Sequence, residues 1–283
     1  MTWESLTGGA ELSMRQPEFK SSGGVPVTSS CPLELHPDQA AVFREVLTLV
    51  EDCHRPYAVA GAFALRQHTG VCRFTKDLDL FMTSRDASAA LRCLERHGFE
   101  CEVCDPVWLA KARRDGFYVD LITGMSNGVF AVDPSWIERA YPATVCGVNS
   151  RVLAPEELIV SKLFVTRRER FDGADIAHIV FGSGGNLQWD RIRQLVGDQW
   201  EILLWALMLF RYVYPAHTDY VPKSLWQDLL ARLAEEIRAP SPRARFRGSL
   251  VDEAMFAIDV GEWGLDDILK EFRAQRPMID PAA

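Results

Sequence analysis

Residues 57–82, YAVAGAFALRQHTGVCRFTKDLDLFM, restrict what this chain can fold into more than any other stretch. The apolar run from Tyr57 to Ala60 reads as a short buried strand that stops at Gly61. A helical segment over 62–68 follows, closed by a turn at Thr69-Gly70. Asp77-Leu-Asp-Leu-Phe81 then alternates acidic and apolar residues, so Asp77 and Asp79 share one strand face while Leu78 and Leu80 share the other. Two carboxylates side by side on a rigid strand repel each other unless a cation lies between them. Mg²⁺, a hard ion that takes oxygen ligands, suits that place. Gly61 has no Cβ, so a phosphate can approach its backbone and meet the first amides of the next helix. Taken singly, each feature has a plainer reading. D-x-D in an apolar strand is often the solvated face of a half-buried sheet, and a lone glycine is an ordinary turn residue.

Together they make an uncommon pattern: a Gly-ended strand, a helical segment, and T-x-D-h-D-h (h apolar) with its first acid sixteen residues after the glycine. This resembles the nucleotidyltransferase superfamily that includes DNA polymerase beta, whose signature is a G-[GS] pair followed by a [DE]-h-[DE]-h strand. The wording A-L-x-x-H before T-x-D-L-D-L-F is most similar to its AbiEii-like branch of abortive-infection and toxin nucleotidyltransferases. The resemblance implies an α/β (α+β) fold, a short mixed sheet flanked by helices, with a helical C-terminal domain. It implies transfer of an NMP group from an NTP such as ATP to an acceptor hydroxyl on tRNA, protein or a small molecule. Two Mg²⁺ ions, or Mn²⁺ in their stead, would be held by Asp77, Asp79 and a third carboxylate from a later strand. Gly61, Ala62 and Thr75 would lie on the nucleotide. One departure stands out: the second residue of the small pair is Ala62, which offers no hydroxyl. It favours the alternative of a catalytically silent relative that binds nucleotide or a partner protein.

The third carboxylate falls in a hairpin. Residues 107–113 and 117–122 flank Arg114-Asp-Gly116, and Asp-Gly is a strong hairpin turn. Its second arm sets Asp120 among apolar residues, where the resemblance makes it the third ligand and plain patterning makes it solvent-exposed. Asp133 competes for that role but precedes Pro134, which suits the cap of a helix over 135–141. Farther on, Pro155-Glu-Glu157 starts a helix by proline-first and acid-first signals. That helix carries Lys162 toward Arg167-Arg-Glu-Arg170 and then Asp172 and Asp175, a loose match to the AbiEii-like helical motif K…R-x-x-R-D-x-x-D. The resemblance makes Lys162 a phosphate contact, with Arg170, Asp172 and Asp175 orienting it or joining the acceptor site. A charge run of this kind also reads as a solvated, salt-bridged face.

Composition narrows the classes. At 283 residues the chain has room for two cores, expected as an α/β domain over 34–152 and helices over 153–283, behind a Gly/Ser-rich flexible leader over 1–33. A net charge of −8 argues against a broad grip on nucleic acid, which needs Lys and Arg against phosphates. A wide acidic cleft would favour a cationic small-molecule acceptor, and a basic rim would favour tRNA. No signal segment is visible, and the longest apolar run, residues 202–210, is too short to span a bilayer, so a cytoplasmic place with no membrane partner is expected. Seven scattered cysteines read as reduced thiols, with Cys101-Glu-Val-Cys104 as strand rather than zinc site. The remaining expected helices are 36–53, 87–97 capped by Ser84 or Asp86, 189–196, 200–214, 224–238 and 255–273, with strands at 99–104 and 143–152. An antitoxin partner would follow from the toxin branch alone.

Overall fold

The computed structural model describes residues 35–167 and 169–281, so the expected leader and Arg168 lie outside the described residues. Helix α1 (Pro37–Asp52) starts where expected. The His36 ring accepts from the Asp38 N–H, and Pro37 takes a first-turn place where its missing N–H costs nothing. Its buried stripe includes Val42, Phe43, Val46, Leu47 and Val50. Then come β1 (Ala58–Val59), α2 (Gly61–Thr69), β2 (Asp77–Phe81) and α3 (Ser84–Arg96). The cap of α3 is Thr83, not Ser84 or Asp86: Thr83 has the extended backbone that a cap needs, and Ser84 is already helical.

Strands β3 (Glu100–Asp105), β4 (Leu109–Arg114) and β5 (Phe117–Ile122) form a meander. Asp115 and Gly116 turn β4 into β5 with φ of 53° and 80°, the two-residue geometry that matches strand twist. Asp133 caps α4 (Pro134–Glu138) through a bond from the Ser135 N–H. That helix is shorter than expected because residues 141 onward are drawn into a hairpin of β6 (Tyr141–Val145) and β7 (Val148–Val152). The seven strands lie in the order β3-β4-β5-β2-β1-β7-β6. The sheet is mixed, since β2 runs parallel to β5 and antiparallel to β1, while β1 runs parallel to β7.

Helix α5 (Pro155–Lys162) follows, but the arginine-rich stretch after it is not helical. It forms a small hairpin of β8 (Thr166–Arg167) and β9 (Arg170–Phe171), closed by the Asp172 N–H donating to the Val165 carbonyl, before α6 (Gly173–Gly182). Helices α7 (Trp189–Val196), α8 (Trp200–Val213), α9 (Lys223–Arg238), α10 (Gly248–Val251), α11 (Ala257–Gly261) and α12 (Ile268–Ala274) complete the described chain. The single helix expected over 255–273 is thus broken, at Gly264 with φ 70° and the Asp267 cap of α12.

Helices α5 and α6 pack on α2, and one apolar core runs from the sheet through Leu65, Leu158, Ile176 and Val180 to Leu203 and Phe210. Residue 153, the expected domain boundary, is where the chain leaves β7 for α5. The expectation of thiols alone is corrected. Cys53, at the end of α1, is disulfide-bonded to Cys93 on α3, because these two helices pack side by side although 40 residues separate the cysteines. Cys72, Cys101, Cys104 and Cys146 form no disulfide among the described residues. No helix among the described residues is long and apolar enough to cross a membrane.

Candidate active site

The site starts from register. Asp79 of β2 lies directly beside Asp120 of parallel β5, and Asp77 lies one side-chain step earlier on the same face. Neighbouring strands run about 4.8 Å apart, so the three carboxylates form one acidic face. Leu78, Leu80, Val119 and Leu121 point the other way and are fully buried. Their burial is what aims the acids at the cleft, since a one-residue slip would put carboxylates in the core.

Gly61 underlies Asp79. The chain arrives from β1 with the Ala60 N–H donating to the Asp79 carbonyl at 2.9 Å, then turns into α2 through Gly61 at φ 54°. A Cβ at Gly61 would run into Asp79 Oδ2, so no other residue fits without moving that carboxylate. Gly61→Ala is expected to destabilise the fold by about 1–3 kcal/mol through left-handed strain and this collision. A urea midpoint equal to wild type would refute that. Ala62 is buried in the first turn of α2. Thr75 steadies Asp77: its hydroxyl proton is shared between the Asp77 carbonyl at 2.9 Å and Oδ1 at 3.2 Å. Gln39, buried on α1, in turn donates to the Thr75 carbonyl.

The sequence pattern does not single out Lys111. It sits opposite Asp120 on β4, and its Nζ binds both carboxylate oxygens at 2.7 and 2.9 Å. A signal for it exists, because an Asp-Gly turn pairing 114 with 117 also pairs 111 with 120. The acids disturb one another. Asp79 keeps some exposed surface, but its carboxylate is tucked against Gly61, and burial followed by repulsion from Asp77 and Asp120 pushes its pKa up to about 7. Lys162 and Arg170 oppose that rise. Burial also raises Asp120, against the pull of Lys111.

Behind this face lies a buried ion cluster. Lys162 Nζ donates to Asp172 at 2.8 Å and to Asp175 at 2.7 Å, and all three side chains are buried. Arg170 holds Asp172 with two bonds, and Arg73, from the loop before β2, holds the other oxygen of Asp175 at 2.9 Å. Burial would raise Asp172, but Lys162 and Arg170 outweigh it and hold the carboxyl below its ordinary range. The structure therefore gathers Asp77, Asp79, Asp120, Lys162, Arg170, Asp172 and Asp175 into one electrostatic neighbourhood.

No three acidic, histidine or cysteine side chains among the described residues converge into a ready-made cation site. The donor set nevertheless suits a hard divalent ion: it is all carboxylate oxygen, and the repulsion that raises Asp79 is what such an ion relieves. Asp120 would first have to release Lys111.

Comparison with known proteins bears on this geometry. Residues 41–198 match the family model described as "Nucleotidyl transferase of unknown function (DUF2204)". None of the curated proteins matches. Among solved structures, the chain is similar to the antibiotic-resistance factor ANT(2'')-Ia at 15% identity and a TM-score of 0.42, covering 63% of this chain and 99% of that one. An antigenic nucleotidyltransferase-like protein from Paracoccidioides brasiliensis shares 18% identity at a TM-score of 0.40, covering 66% and 95%. The lincosamide antibiotic adenylyltransferase LnuA shares 14% identity at a TM-score of 0.37, covering 51% and 96%. The family match spans more than half of the chain and takes in Gly61, Asp77, Asp79, Asp120 and Lys162, so this protein belongs to that nucleotidyl transferase family and is a transferase.

Proposed function

We propose that the protein moves an NMP group from an NTP to an acceptor hydroxyl, with Asp77, Asp79 and Asp120 as its catalytic carboxylates. The observation that carries this reading is the register of β2 and β5, which sets Asp79 beside Asp120 with Asp77 on the same face. Divalent ions, Mg²⁺ in this reading, would be held by these three residues and would supply charge neutralisation at the reacting phosphate. A triphosphate would meet the first amides of α2 once the Asp79 carboxylate moves off the Gly61 backbone, against which it now lies. Thr75 acts through Asp77, whose carboxylate it orients. Lys111 opposes the burial that raises Asp120, and on its release Asp120 would take the acceptor's proton. Lys162 and Arg170 add positive potential beside Asp79, Lys162 from a fixed place between two acids. The AbiEii-like toxin role, an antitoxin partner and a cytoplasmic setting rest on the sequence pattern alone, and growth arrest on expression of wild type but not of an Asp77→Asn, Asp79→Asn variant would support the toxin role.

The test of transfer is a labelling assay with each α-labelled NTP, Mg²⁺ and a cell extract, comparing wild type with that double variant. Label in a product made only by wild type is the expected result. Equal labelling by both forms would remove β2 from the chemistry, and no labelling by wild type would refute transfer under these conditions.

A further inference from the structure

Beside the acidic face lies a cavity of about 350 Å³, bounded by the β3–β4 turn, the Ser126-Asn127 loop and residues 249–253 at the end of α10. That volume is in the range of small-molecule sites. Its place follows from β4. Leu109 lines the cavity, and Lys111, two residues on and so on the same face about 7 Å away, holds Asp120. Cys104, also on the wall, is within electrostatic reach of Lys111 and Asp120.

The lining has unspent polar groups. Asp105 and Arg273 neutralise each other through two bonds of 2.9 and 3.0 Å. Asp252 uses one oxygen to accept the Ala254 and Met255 N–H groups, and the other takes no bond among the described residues. Exposed Glu253 likewise has no ion pair there, and the remaining cation, Arg167, bonds Ser126 Oγ. Ser249 also lines the cavity, with its hydroxyl turned away from solvent. Trp108 and Phe164 add an apolar wall.

We propose that this cavity is the acceptor subsite and takes a small polyhydroxylated amine, its ammonium on Asp252 and Glu253 and one hydroxyl turned toward Asp120. A nucleic-acid strand would bring phosphates against those two carboxylates. The proposal rests on the nucleotidyl-transfer reading. The acceptor oxygen bonds to the α-phosphorus, the bond to the bridging oxygen breaks, pyrophosphate leaves with that electron pair, and the hydroxyl proton passes to Asp120.

The test is calorimetric titration of the full chain, without NTP, using streptamine (an aminocyclitol), its uncharged counterpart scyllo-inositol, and a single-stranded RNA oligonucleotide. Streptamine should bind wild type and Asp77→Asn alike, and Glu253→Gln or Asp252→Asn should weaken it about tenfold or more, since each removes one charge from the ammonium site. Asn at 252 keeps the oxygen that caps the following turn, and Glu253 makes no internal bond, so neither change threatens folding. No streptamine binding, equal affinity for scyllo-inositol, tighter binding of RNA, or no change in both acid variants would overturn the proposal. Binding needs no turnover. A negative result here therefore leaves nucleotidyl transfer standing, and a failed labelling assay leaves this measurement unaffected.

Discussion

Asp79→Asn is expected to lower nucleotidyl transfer by about 10²–10³-fold, or roughly 3–4 kcal/mol, while making the metal-free protein more stable. The two effects share a cause. Asp79 is held against Gly61 between Asp77 and Asp120, and its pKa is pushed up to about 7 from an ordinary 3.8. A carboxyl raised on folding gives stability that is fully present below its unfolded value and is lost as pH rises through the folded value. For Asp79 that loss runs from about pH 4 to about pH 7 and is complete above, at about 1.4 kcal/mol for each pH unit between the two values. Asparagine has the same shape and no charge. In chelator-treated protein its melting temperature should exceed that of wild type at about pH 8, and the gap should close toward pH 4. A gap that ignores pH would mean that Asp79 is not the strained group. Transfer within tenfold of wild type would remove it from the chemistry.

Lys162→Met should cost about 3–5 kcal/mol of folding stability, the largest loss expected from any single change outside the carboxylate face. Lys162 Nζ is the shared partner of Asp172 and Asp175, both buried, and methionine would leave two carboxylates facing each other. Arg73 and Arg170 each hold one of them but do not bridge the pair. Adding Asp175→Asn should restore part of the loss, because it removes one of the stranded charges. Lys162→Arg should not rescue, since a planar guanidinium does not fit where a compact ammonium sits between two acids. Urea denaturation of the variants measures this, and a loss below about 1 kcal/mol would mean that the cluster is solvated.

Local pattern is a sound guide where local physics decides. Alternation in Asp77–Phe81 makes a strand with both acids on one face, since the pleat admits no other arrangement. The Asp115-Gly116 turn, the Asp133 cap and the proline-first starts of α1 and α5 are legible for the same reason: each depends on residues within one turn of the chain. The stretch over 166–171 defeats pattern reading because its charges suit a helix face, whereas the Asp172 N–H closes a hairpin onto Val165 and α6 begins only afterwards. Thr83 escapes notice as a cap because Ser84 and Asp86 beside it are equally good capping residues by type.

The sequence by itself determined the acidic strand, the glycine before it and the apolar partners that anchor both, because these follow from side-chain alternation and the want of a Cβ. Only the tertiary structure decided which strand stands beside Asp79, that Lys162 is tied to two carboxylates, that Cys53 meets Cys93, and that residues 249–253 wall a cavity next to β4. Those pairings join residues ten to well over a hundred positions apart. They are set by sheet order and by burial of one shared core, and no local pattern encodes either.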